Sequence, residues 1–144
     1  MKIRDILRTK GTNVIAVEPD QPVLAAVRVL SEHRIGAVVV RHAGEMLGIL
    51  SERDILNLAA GDPARLETAR VEEVMTRDVI VGSPEDELNH VMNVMTENRI
   101  RHLPIVVGAA LEGIVSIGDV VNAVRRSVES ENRHLMDYIH GIAG

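Results

Sequence analysis

The chain has no cysteine, no tryptophan and no phenylalanine among its 144 residues, and a single tyrosine. Without cysteine it can form no disulfide, thiolate metal site or cysteine nucleophile. Without aromatic platforms it lacks the stacking surfaces on which single-stranded nucleic acids are held. Lys and Arg number 16 against 21 Asp and Glu, a net charge of −5, so no basic footprint for a duplex is present either. No apolar run approaches the roughly 18 residues of a membrane-spanning helix. The opening Met1-Lys2-Ile3-Arg4-Asp5-Ile6-Leu7-Arg8 is too charged for a secretory signal. These absences lead us to expect a cytoplasmic protein with neither nucleic-acid nor membrane partners.

What is present is aliphatic and duplicated. Apolar residues make up 46% of the chain, so the core must be built from Val, Ile, Leu, Ala and Met. At an offset of 65 residues, Val14-Ile15 returns as Val79-Ile80, Pro19 as Pro84, Arg34-Ile35 as Arg99-Ile100 and Asn57 as Asn122. The string Gly48-Ile49-Leu50-Ser51-Glu52-Arg53-Asp54 returns as Gly113-Ile114-Val115-Ser116-Ile117-Gly118-Asp119. Two copies are too few for a solenoid. They predict two similar halves that depend on each other, since a unit of about 65 residues buries little surface alone.

Each half alternates strand and helix signals in one order. Val14 to Val17 reads as a strand, and Pro22 to Arg34 as a helix with Val23, Ala26, Val27 and Leu30 on one face. Ala37 to Val40 and Met46 to Leu50 read as a hairpin about His42-Ala43-Gly44-Glu45, and Ser51 opens a second helix that Gly61-Asp62-Pro63 stops. The second half predicts a strand at Val79 to Val81, a helix at Asp86 to Asn98, strands at His102 to Val107 and Leu111 to Val115, and a helix from about Ile117. Short helical turns at Ile3 to Leu7 and Val71 to Met75 precede the halves. The domains so predicted are residues 1–61 and 71–126, with a linker over 62–70 and a helical extension over 127–144 whose apolar stripe, Val128, Leu135 and Ile139, could cap the chain's own core but whose surplus length favours a subunit contact.

Two constellations could carry chemistry. In each Gly-x-x-Ser-x-x-Asp string a strand ends at a Ser that starts a helix, with an Asp three residues on. Such a pair forms a capping box that needs no ligand. It also sets helix amides and a hydroxyl where a phosphate could sit, and a carboxylate that can accept hydrogen bonds from two vicinal sugar hydroxyls. Both readings stand on spacing alone. The second constellation is Asn98-Arg99-Ile100-Arg101-His102-Leu103-Pro104 against His33-Arg34-Ile35-Gly36-Ala37-Val38-Val39. Arg101 and His102 suit anionic oxygens, whereas Gly36 and Ala37 leave space, so two pockets built here would be unequal; a solvated surface position is the alternative reading for Arg99 and Arg101. The six histidines lack metal-ligand spacing, and there is no nucleophile elbow, Walker loop or dinucleotide fingerprint.

The duplicated Gly-h-h-Ser-x-x-Asp closing each strand–helix–strand–strand–helix unit, with Arg101-His102-Leu103-Pro104-Ile105-Val106 on a central strand, resembles a tandem cystathionine-β-synthase (CBS) domain pair, or Bateman module, of the small stand-alone prokaryotic kind. The resemblance covers residues 1 to about 125. It implies an α/β fold (α+β by some schemes): two β-α-β-β-α repeats packed with pseudo-twofold symmetry, two clefts for adenosine-containing ligands, and homodimers meeting through helices. It further implies that Asp54 and Asp119 hold ribose hydroxyls, with Ser51 and Ser116 at the ribose-phosphate end. Thr12, Val14, Ile15, Val79 and Ile80 would border the adenine, with Gly36, Ala37 and Val38 in one site and Leu103 and Pro104 in the other. Arg53, Arg101 and His102 would be phosphate contacts. The function so implied is a non-catalytic sensor of an adenosyl ligand, AMP foremost, with ATP or NAD(H) possible and no catalytic cofactor or metal. The alternative is an adaptor dimer that docks a client protein without nucleotide. An enzyme is the weakest reading, because only His102 lies near a predicted cleft.

Overall fold

The computed structural model describes the main chain of residues 1–143 and the side chains of residues 1–140. The elements run α1 (Ile3–Lys10), β1 (Ala16–Val17), α2 (Val23–His33), β2 (Ala37–His42), β3 (Glu45–Ser51), α3 (Glu52–Gly61), α4 (Arg65–Thr68), α5 (Val71–Val74), α6 (Leu88–Asn98), β4 (His102–Val107), β5 (Ala110–Ser116) and α7 (Ile117–Ala143). The fold is mixed α/β, with short sheets and covering helices. They form two compact units. One comprises Met1–Thr12, Val81–Gly108 and Glu112–Gly144, the other Asn13–Ile80 with Ala109–Leu111. Each unit is therefore discontinuous in sequence: α1 folds with the elements of the second repeat, and α5 with those of the first.

The same main-chain bonds hold both leading helices. In the first unit Ile3 N–H donates to Asp86 O at 3.0 Å and Arg4 N–H to Pro84 O at 2.8 Å. In the second, Val71 N–H donates to Gln21 O and Glu72 N–H to Pro19 O, both at 2.9 Å. Side chains follow. Ile3, Ile6 and Leu7 join a core with Leu88, Val91, Met95, Leu103, Ile105, Val115 and Val120. Val71 and Met75 join Val17, Ala26, Leu30, Val38, Val40 and Leu50. Both cores are aliphatic and Met-containing, as the missing aromatics require.

In α2 and α6 the buried positions, Val23, Ala26, Leu30 and Leu88, Val91, Met95, keep one helical face. Both helices stop at an arginine in the left-handed region, Arg34 and Arg99 at φ 53° each, and the next amide reaches back, Ile35 N–H to Leu30 O at 3.1 Å and Ile100 N–H to Met95 O at 3.0 Å. The duplicated Arg-Ile is thus a helix-termination device whose Ile packs onto the core.

The strand expected at Val79 to Val81 does not form. In the first repeat β1 pairs parallel to β2, with Val39 N–H donating to Ile15 O at 3.4 Å. The residue 65 positions after Val39 is Pro104, which has no N–H to donate to Ile80. Pairing is cut to the single parallel bridge Gly82–Ile105. The remaining expected strands are present: β2 and β3 pair antiparallel from Ala37–Ser51 to His42–Glu45 with an irregularity at Val40/Arg41, around a turn whose Ala43 and Gly44 both have positive φ, as a two-residue hairpin needs.

Gly48 marks the closest approach of a leading segment. A β-carbon there would lie 2.6 Å from the Thr76 carbonyl oxygen, whereas one at Gly113 would meet only the tip of Leu7, at 2.8 Å. Main chain cannot yield as a leucine tip can. Gly48→Ala is therefore expected to cost about 1–3 kcal/mol in urea denaturation and Gly113→Ala distinctly less; equal losses would contradict this packing.

Candidate functional site

Both Ser-x-x-Asp strings fold into the same capped helix start. At α3, the Ser51 amide donates to Asp54 Oδ2 at 3.0 Å, and the Asp54 amide donates to Ser51 Oγ at 3.3 Å. At α7, the Ser116 amide donates to Asp119 Oδ2 at 2.9 Å and the Asp119 amide to Ser116 Oγ at 3.1 Å. The first helical amide bonds across to the neighbouring strand start: Glu52 N–H to Gly36 O at 3.0 Å, and Ile117 N–H to Arg101 O at 2.8 Å. A helix start leaves four amides without intrahelical partners. Three are satisfied here in each copy, leaving the amides of Arg53 and Gly118. The helix ends therefore offer an anion one main-chain donor apiece, fewer than a fully open helix start.

The capping reading and the ligand reading are compatible in this geometry. Each carboxylate is half-buried and fixed in orientation by its box, while carboxylate oxygens retain lone pairs for further donors.

The surroundings of the two carboxylates differ. Asp54 meets the Thr76 hydroxyl, 3.4 Å from both carboxylate oxygens, and the Ser51 hydroxyl at 3.1 Å. Asp119 meets the Lys10 ammonium, with Nζ 2.6 Å from Oδ2 and 3.0 Å from Ile114 O. Burial pushes the Asp119 carboxyl up, yet the Lys10 hydrogen bond, the Ser116 amide, the Lys10 charge and the Ser116 hydroxyl outweigh it and hold the group below its ordinary 3.8. Neither Lys10 nor Thr76 was legible as a site residue, because both lie upstream of Val14 and Val79, where the gap-free offset ends. Leu7 stands against Gly113 as Met75 stands against Gly48, yet seven positions separate Leu7 from Val14 and four separate Met75 from Val79. The surplus of three residues makes the last turn of α1 and supplies Lys10.

The other predicted residues fall as follows. In the second unit, Ala37 pairs with Ser51 and Val38 with Leu50, and Ile15 reaches Val39 through its carbonyl. Gly36, Ala37, Ser51 and Asp54 are thus gathered at one end of β2 and β3, with Arg53 exposed on the first turn of α3. Val14 is half-buried, as is Val79, while Ile80 is exposed; both Val79 and Ile80 belong to this unit. In the first unit, Arg101, Ser116 and Asp119 are gathered at the start of β4 and α7, where Arg101 is exposed and His102 half-buried. Thr12 is exposed beyond α1. The side chains of Val38 and Leu103 are sealed in their cores; Pro104 is buried, and its carbonyl accepts the Gly82 amide at 2.9 Å. A separate groove of about 560 Å³ between α2 and α3, lined by Val27, Leu30, Ile35, Ile55 and Leu56 among others, includes none of these residues. Among the described residues no cluster of His, Asp or Glu is arranged to hold a metal ion, and no helix is long and apolar enough to cross a membrane.

The profile of the CBS domain matches residues 3–61 and again 71–126. The chain belongs to the CBS-domain family, as a tandem pair. It is 34% identical over 148 aligned positions to a mitochondrial CBS-domain-containing protein of Arabidopsis thaliana, covering 96% of this chain and 72% of that one. The crystal structure of a CBS-domain-containing protein from Agrobacterium tumefaciens superposes with a TM-score of 0.82 at 40% identity, covering 85% of this chain and 98% of that one. A CBS domain pair crystallised with 5′-methylthioadenosine and S-adenosyl-L-methionine shares the fold, with a TM-score of 0.76 at 24% identity, covering 88% and 98%. The family's profile follows the sequence repeats, whereas the compact units of this CBS pair follow the docking of α1 and α5.

The depressed Asp119 carboxyl has a consequence in acid. The folded chain binds this proton less tightly than the unfolded chain, so the carboxylate's contribution to stability is complete above about pH 3.8 and fades as pH falls through the lower folded value. Thermal melts should show a gap between wild type and Asp119→Asn that is full near neutrality and closes below about pH 4; a gap that persists undiminished in strong acid would rule out this ion pair as its source.

Proposed function

We propose that this CBS pair is a non-catalytic regulatory module that binds an adenosine nucleotide, with Asp54 and Asp119 each accepting hydrogen bonds from vicinal ribose hydroxyls. The observation that carries this reading is the duplication of one oriented carboxylate. Two half-buried aspartates are held by the same pair of box bonds, beside the same cross-strand bond from the first helical amide. One such box would be sufficiently accounted for as a helix cap. Supporting it is the neighbouring CBS pair crystallised with two adenosine-containing ligands.

AMP is the favoured ligand, with ATP and NAD(H) as further members of the class. Ser51 and Ser116 stand at the ribose-phosphate end; Arg53, Arg101 and His102 are the phosphate contacts. The remaining adenine-bordering residues are Thr12, Val14, Ile15, Gly36, Ala37, Val79, Ile80 and Pro104, with Val38 and Leu103, whose side chains lie in the cores, bordering it through their main chain. Regulation requires the ligand to favour one arrangement of the protein over another, since equal affinity for both shifts nothing. The setting proposed is cytoplasmic and the working form a homodimer.

A second reading, an adaptor that docks a client protein, is favoured by α7. Past the core contact at Ala123, Val128, Leu135, Met136, Tyr138 and Ile139 are each about half exposed or more, 48% to 68%. Such a stripe needs a partner or a second copy to cover it.

Calorimetric titration of AMP, ATP and NADH into wild type, Asp54→Asn and Asp119→Asn separates the readings. Sensing predicts binding by wild type and loss of one site in each variant, with ligand at 100 times Kd adding about 2.7 kcal/mol of stability. No binding to wild type would leave the adaptor reading, and unchanged binding in both variants would remove the carboxylates from the site.

A further inference from the structure

We propose that Lys10 is a specificity-determining residue that competes with ligand hydroxyls for Asp119, so that the Asp54 carboxylate is occupied first. The inference rests on the ribose-binding role of the two aspartates. It starts from the unequal partners already present at them.

A vicinal diol presents two O–H donors and needs carboxylate lone pairs that face it. At Asp119, Oδ2 takes both the Ser116 amide at 2.9 Å and the Lys10 ammonium at 2.6 Å. The second bond is charge-assisted, the stronger kind. Lys10 is also anchored by Ile114 O at 3.0 Å, and it stands in the last turn of α1, where the helix end favours a cation. A sugar that claims this oxygen has to displace a positively charged donor held at two points. At Asp54 the corresponding neighbour is the neutral Thr76 hydroxyl, at 3.4 Å from both oxygens, near the limit of a hydrogen bond. A hydroxyl rotates aside at little cost, and once rotated it can accept from the ligand.

Solvent limits the size of the effect. The Lys10 and Asp119 side chains are 39% and 28% exposed, so a released ammonium is promptly hydrated, and pairs of this kind contribute up to about 1 kcal/mol. That corresponds to a preference of about fivefold for the Asp54 site. The sequence difference responsible is the three-residue surplus that adds the last turn of α1. Upstream of β1 the first repeat thus carries a competitor for the second repeat's carboxylate, and the second repeat returns only a threonine.

The test uses adenosine, which has the diol and no phosphate, with 2′-deoxyadenosine as the control lacking one hydroxyl. In an Asp54→Asn background, where only the Asp119 site remains, Lys10→Met is expected to tighten adenosine binding about two- to fivefold. The gain for 2′-deoxyadenosine should be smaller, and Lys10→Arg should retain the wild-type affinity. In an Asp119→Asn background Lys10→Met should change nothing. Adenosine binding that Lys10→Met leaves unchanged or weakens in the Asp54→Asn background overturns this inference alone. Failure of wild type and every variant to bind adenosine overturns the proposed function and the inference with it.

Discussion

The rest of the structure depends on the docking of each leading helix onto the other repeat's elements. Ile3 and Arg4 donate to the loop that precedes α6, Val71 and Glu72 to the loop that precedes α2, and Ile3 and Val71 are both fully buried. A unit of this size buries little apolar surface, and each core takes part of its lining from its docked helix. The same docking places Leu7 over Gly113 and Met75 over Gly48, at the strands that run into Ser116 and Ser51. Whatever follows each helix is therefore brought to a carboxylate: Lys10 to Asp119, Thr76 to Asp54. Core completion and the chemistry of the two aspartates have one cause.

Much of this was legible in the sequence, for identifiable reasons. The hairpins were readable because nearly continuous apolar runs flank the turns at His42 to Glu45 and Gly108 to Ala110, and the long helices because Val23, Ala26, Leu30 and Leu88, Val91, Met95 keep a helical spacing. The capped helix starts were readable because Ser and Asp three apart encode their bonds locally. The strand at Val79 to Val81 misled because its β-branched composition promises a strand, while the decisive residue, Pro104, lies on its partner more than twenty positions away. The duplicated Arg34-Ile35 and Arg99-Ile100 end helices in the left-handed conformation, a role that the repeat by itself did not disclose.

Lys10 and Thr76 illustrate what a repeat conceals. An internal duplication compares equivalent positions, and these two are not equivalent: one closes a helix of eight residues, the other follows a helix of four. Their partners, Asp119 and Asp54, lie 109 and 22 positions away, so no local pattern links them. The asymmetry expected from Arg101-His102 against Gly36-Ala37 concerned the phosphate end; the one found at the carboxylates is separate from it and arises from the leading helices.

Hydrogen exchange on truncations at the two leading helices tests reciprocal docking most directly. Ile3→Ala should first raise exchange of the β4 and β5 amides while those of β2 and β3 keep their protection, and Val71→Ala should do the reverse. Loss of β2 and β3 protection in Ile3→Ala, with β4 and β5 unaffected, would mean that each helix supports its own repeat and would contradict the account.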